Sequence, residues 1–170
     1  MPNLRTYLRA SRQINATAAG VTVLTGASLD MQGFDGVLFV AALGTLTATQ
    51  VTFLGAQDSP DGSTWGAVGT AAAPTNLLTT LPSGGIGGVL TGLQAAVNIV
   101  TPAALDADSN KLLVLDVFRP LQRFVRAVLY RGTANAVLDG LVALQYGAKK
   151  EPTTMDVTTV SQTFFGVANN

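Results

Sequence analysis

The residues best equipped for chemistry are cationic. Lys111, Arg119, Arg123, Arg126 and Arg131 crowd into KLLVLDVFRPLQRFVRAVLYR, against the single acid Asp116. Guanidinium groups on apolar strands call for carboxylate partners, within the fold or across a subunit boundary. Other candidates are thinner. Asp58 and Asp61, with Ser59 and Ser63, offer oxygens to a calcium ion, but the segment lacks the regular alternation and terminal glutamate of an EF-hand and is read as a turn. Ser83–Gly88 is glycine-rich without the Gly-Lys-Ser/Thr ending of a phosphate loop. Trp65 could be a sugar-stacking platform, but a lone tryptophan is more often core or an interface anchor.

Catalysis is poorly supplied. There is no histidine to act as general base for a serine, and Asp106 and Asp108 read as a solvated loop rather than converging acids. Without cysteine there is neither a disulfide nor a thiolate metal site. The chain is therefore expected to be no enzyme, with no metal and no cofactor.

Charge is scarce and segregated. Charged residues are 12% of the 170, about half the ~25% usual share, while hydrophobic residues are 48%. Arg5, Arg9 and Arg12 stand without an acid in residues 1–14, and six aspartates without a lysine or arginine in residues 15–110. So neutral a surface is expected to be buried against other copies or another protein. Net charge is zero and aromatic interleaving is thin, which argues against nucleic acid. The N-terminal stretch has no apolar h-region, and the longest apolar run, Val37–Leu43, is too short to span a bilayer, so a soluble, unprocessed chain with no membrane partner is expected.

The elements that must position these groups read as strands. Gly36–Leu43 is apolar on both faces, Thr49–Ala56 alternates, and Leu112–Phe118, Phe124–Tyr130 and Ala136–Tyr146 are separated by breaks at Pro120 and Gly132–Asn135. In Phe124–Tyr130, Val125, Ala127 and Leu129 point one way; Phe124, Arg126, Val128 and Tyr130 point the other. Neither set is fully polar, so this strand is expected to be covered on both sides, by its own core and by a loop or neighbouring subunit. Shorter strands are expected at Val21–Leu24, Gly88–Leu93 and Val97–Val100. The pattern predicts an all-β fold: an antiparallel, jelly-roll-like β-sandwich over residues 20–150, with long loops at 69–110. Residues 1–19 are expected as an N-terminal arm, extended or briefly helical, and residues 151–170 as a C-terminal tail. In that tail Phe164 and Phe165 call for burial, with a neighbouring subunit favoured over the chain's own sandwich.

Three segments carry a resemblance: Gly33–Val40 with its Gly-Phe-Asp entry, Val51–Trp65 ending in the Gln-Asp-Ser, Asp-Gly, Trp turn, and Pro120–Tyr146 with its Arg-Phe-Val-Arg strand and Gly-Thr-Ala-Asn turn. Together they resemble small β-rich structural proteins encoded near the major capsid protein of tailed bacteriophages, the capsid decoration or cement proteins among them. The resemblance covers roughly residues 20–150 and rests on loose patterns; residues 69–110 depart from it. It implies a virion protein on the capsid exterior, made in the host cytoplasm, that stabilises the head by binding the major capsid protein, as a homo-oligomer with a trimer favoured. Arg5, Arg9 and Arg12 would then meet acidic capsid surface, and Arg119, Arg123 and Arg126 would form subunit or intramolecular ion pairs. A head–tail connector or tail component is the alternative in the same setting. A carbohydrate-binding attachment module resting on Trp65 is the alternative of another class.

Overall fold

In the computed structural model, the described residues are 7–47, 51–65, 93–100, 109–132, 135–149, 155 and 158–161. Arg5, Phe164, Phe165 and the greater part of the expected 69–110 loops lie outside them.

Among the described residues ten strands form two sheets: β1 (Leu8–Ile14), β2 (Thr17–Gly20), β3 (Leu24–Thr25), β4 (Leu29–Asp30), β5 (Gly36–Leu46), β6 (Val51–Ser59), β7 (Leu93–Val100), β8 (Leu112–Phe118), β9 (Phe124–Gly132) and β10 (Ala136–Tyr146). The first sheet has the order β1-β10-β5-β8, with β2 continuing β1 along β10. The second has the order β3-β9-β6-β7, with β4 continuing β3 along β9. Every pairing is antiparallel.

The pairs are nested. β1/β2 lies on β10, β3/β4 on β9, β5 on β8 and β6 on β7, so the chain is one long antiparallel ribbon rolled into two facing sheets. This strand order is that of a jelly roll. The all-β sandwich read from the sequence is thus observed.

Three boundaries differ from expectation. Leu8–Ile14 and Thr17–Gly20, which fall in the expected 1–19 arm up to residue 19, are edge strands of the first sheet, paired from Leu8↔Tyr146 to Ala136↔Gly20. Their mixture of arginine, alanine and threonine hides the pattern, because an edge strand needs few apolar side chains. The second is Val21–Leu24, where only Leu24 and Thr25 pair, with Leu129 and Val128 of β9. The third lies inside the expected 69–110 loops, where Leu93–Val100 is one strand paired along β6 rather than a short strand at Val97–Val100, while residues 88–92 lie outside the described residues.

The core sits between the sheets, as alternation dictates. Val37, Phe39, Ala41 and Leu43 of β5 face Leu54 and Ala56 of β6 and Val125, Ala127 and Leu129 of β9. Leu113, Leu115 and Val117 of β8 and Leu141 and Ala143 of β10 complete it. The facing read for β9 holds: Val125, Ala127 and Leu129 are fully buried, while Phe124, Arg126 and Tyr130 are half-buried on the opposite side.

Candidate functional site

Two surfaces stand out, and the first is the outer face of the first sheet. Register aligns its outward side chains in rows across four strands. One row is Arg12, Val142, Val40 and Val114; the next is Ala10, Leu144, Leu38 and Asp116; the third is Leu8, Tyr146, Gly36 and Phe118. Ala42 and Leu112 extend it. Nearly every position is apolar. Leu112, Val114 and Phe118 on β8 are 60%, 48% and 59% exposed, and Val142 is 37% exposed.

The one acid in these rows is tied down from within. The Tyr146 hydroxyl donates to Asp116 Oδ1 at 2.7 Å, reaching from β10 across β5 to β8. Gly36 makes the crossing possible, because a Cβ there would stand 2.4 Å from the Tyr146 ring. Burial, reinforced by the bond to Asp116, pushes the Tyr146 pKa up to about 12.

The second surface is an open groove of about 560 Å³ at one end of the sandwich, where three connections converge. The β4–β5 link contributes Met31, Gln32, Phe34 and Asp35, the β8–β9 link Arg119–Arg123, and the segment after β10 Lys149. The first link is a tight turn, with Phe34 N–H donating to the Met31 carbonyl and Gly33 at φ 90°, the left-handed third position of a type II turn. Main-chain bonds from Met31 N–H to the Arg123 carbonyl, Arg119 N–H to the Asp35 carbonyl and Lys149 N–H to the Gly33 carbonyl, all 2.8 Å, lock the three together.

Arg123 is held by Asp30 in a two-point pair, Nε to Oδ1 at 3.0 Å and Nη2 to Oδ2 at 2.7 Å. The hydrogen bond from Arg123 is the main cause holding the Asp30 carboxyl below its usual range, with Arg9 adding a smaller attraction. Lys149 Nζ is 3.8 Å from Asp35 in a solvent-exposed pair, a contact of little energetic weight. Arg119 is exposed at φ 51°, its guanidinium 5.1 Å from the centre of the Phe118 ring, and no carboxylate among the described residues pairs with it. A left-handed non-glycine residue costs roughly 1–2 kcal/mol.

The remaining candidates fall into place. Arg126 stacks over Trp65 at 4.2 Å and donates twice to Gln57 Oε1, at 2.9 and 2.7 Å. It is held by an amide and an indole, not the expected ion pair, and it occupies one face of the ring offered for sugar stacking. Arg9 is not on the outer face: it lies opposite Gln145 on the inward side of β1, half-buried and close enough to act on Asp30. Arg12 is exposed beside Val142 and lines a cleft of about 320 Å³ with Gln13, Asn15, Thr158 and Thr159. The Ala10 N–H donates to Met155 Sδ at 3.4 Å, so the described part of the tail lies on the chain's own first strand.

Asp61 is consumed by its own loop, accepting from the Ser59 hydroxyl and from the Ser63 and Thr64 N–H groups, which hold its pKa well below the usual range. The turn reading suffices there, and no group of three potential metal ligands occurs among the described residues. The sequence reading missed Lys149, Tyr146 and the outer face of β8; the signal available was that Leu112–Phe118 is apolar on both of its faces save at Asp116, while its burial alternates strictly.

No protein-family model matches the chain, and no curated protein matches it. Among solved structures it is similar to the PBSX exported protein XepA, at 15% identity and a TM-score of 0.48, over 98% of this chain and 46% of that one. It is also similar to a Bacillus endospore appendage protein of disulfide-linked pili, at 13% identity and a TM-score of 0.38, over 86% of this chain and 93% of that one. The chain thus spans less than half the length of XepA. No helix among the described residues is long and apolar enough to cross a membrane.

Proposed function

We propose that this is a virion structural protein, a capsid decoration protein that docks on the outer surface of the major capsid protein and stabilises the shell. The observation that carries the reading is the apolar outer face of the first sheet, whose rows cross four strands and on which Leu112, Val114 and Phe118 of β8 and Val142 of β10 stand exposed. Contiguous apolar surface of that kind belongs against another protein. The sparse charge of the chain fits the same role, as does the resemblance of residues 20–150. The work is binding rather than catalysis, and it is done by several copies bridging neighbouring capsid subunits, so that modest single contacts multiply.

The reading is tested by co-sedimentation of the purified chain with shells of the major capsid protein. Saturable binding is expected, and it is expected to be lost in the double variant Val114→Lys, Val142→Lys. No sedimentation, or binding untouched by both lysines, would sink it. Light scattering over a concentration series checks the assembly state, with a closed oligomer, a trimer first, as the expected form.

A further inference from the structure

We propose that the groove at the Arg119–Arg123 turn is a binding site for an acidic peptide segment that also carries an apolar side chain. Complementarity argues for this occupant. Three cations line or flank the groove (Arg119, Arg123 and Lys149); Arg123 and Lys149 are paired with Asp30 and Asp35, and the buried Asp58 carboxyl is engaged behind the turn by the Gln122 N–H, so Arg119 is the cation at the rim with no carboxylate paired to it among the described residues. Each cation stands in a different state of readiness. Arg123 is anchored by the two-point pair with Asp30 and presents its remaining N–H groups from a fixed position. Lys149 is 70% exposed and only loosely held by Asp35, so it turns to a stronger acceptor at little cost.

Arg119 has its whole planar fork available, braced on Phe118, and such a fork matches a carboxylate at two points. Its left-handed backbone is the kind of strain that local structure retains at binding positions.

The groove also has an apolar wall. Met31, Phe34, Pro120 and Leu121 line it, and Leu121 is 65% exposed. A simple inorganic anion would use the cations and leave that wall in water. A peptide carrying a carboxylate beside a leucine or phenylalanine uses both. This site is on the end of the sandwich, adjoining the outer sheet face at Phe118, and its occupancy goes beyond the docking reading above.

The test is amide-resolved NMR titration of the isotope-labelled full chain with a capped heptapeptide alternating leucine and glutamate. Parallel arms use the same peptide with glutamine for glutamate, and inorganic phosphate. Saturable shifts at residues 31–35, 119–123 and 149 are expected, with affinity at least about tenfold weaker for the glutamine peptide and for phosphate. Arg119→Gly separates binding from folding: glycine accepts the left-handed backbone, so the fold is kept while affinity falls by the same factor. Three results would overturn the proposal: no saturable shifts, equal binding of the glutamine peptide or phosphate, or an Arg119→Gly variant that binds as well as the parent. A chain that fails here yet still sediments with shells overturns this inference alone.

Discussion

Arg131 is 2% exposed, yet no carboxylate among the described residues pairs with it. Its guanidinium donates to the Ala18, Thr22 and Ala136 carbonyls and to the Thr22 hydroxyl, at 2.8 to 3.1 Å. It therefore ties β2 and the approach to β3 onto the β9–β10 corner, a structural clamp rather than a partner contact. Burial lowers its pKa, but an arginine stays charged in a protein. Arg131→Ala leaves those acceptors unsatisfied and is expected to cost about 3 kcal/mol, read from the urea midpoint at unchanged slope. At Tyr146 the prediction concerns pH. Its folded pKa lies above the ordinary value of 10.0, so the folded state holds the proton longer. The stability it contributes is complete below about pH 10 and is lost as pH rises towards 12. Asp116→Asn is expected to move the tyrosine titration, followed by ultraviolet absorbance, back towards 10.

At the scale of elements, β5 and β8 show how one strand serves two surfaces. Phe39 is fully buried at the centre of β5, while Val40 beside it faces outward next to Val114 and Val142. Phe39→Ala is expected to cost about 4 kcal/mol in equilibrium unfolding, because the sheets cannot close on the cavity. Val114→Lys sits on the exposed face and is expected to change stability by no more than about 0.5 kcal/mol. A large loss there would mean that Val114 is packed in the isolated chain, and would count against a free docking face. The loop covering β9 also belongs to this scale. Gly62 lies against Phe124, where a Cβ would come within 3.3 Å of the ring, and Trp65 lies on Arg126. The cover expected for that strand is supplied, at those positions, by the chain's own turn.

At the scale of the whole molecule, apolar surface is left outside on the first sheet. The proposed shell contact is therefore expected to be driven by burial of apolar area. Its affinity is expected to change by less than about threefold between roughly 50 and 500 mM salt, measured by the same sedimentation assay. A steep loss with salt would instead return the contact to the arginines. The peptide proposed for the end groove is expected to respond in the opposite way, weakening as salt screens Arg119 and Lys149.

Much of this was legible without coordinates, for reasons of period. The strand period of two in Phe124–Tyr130 already states which side chains share a face, and Pro120 already separates two strands. The all-β class follows from the same alternation, since a period of two cannot bury a helix face. What alternation cannot state is partnership. That Leu8–Ile14 pairs with β10 depends on main-chain groups every residue shares, so Arg9 was read as part of an arm although it faces inward near Asp30. That Tyr146 reaches Asp116, or that Lys149 lines one groove with Arg119, depends on how the ribbon rolls, which brings chain segments together whose side chains carry no mark of one another. Strand identity is local and is written in the order of residues. The sites are made by register and by the meeting of distant turns, and only the folded chain decides those.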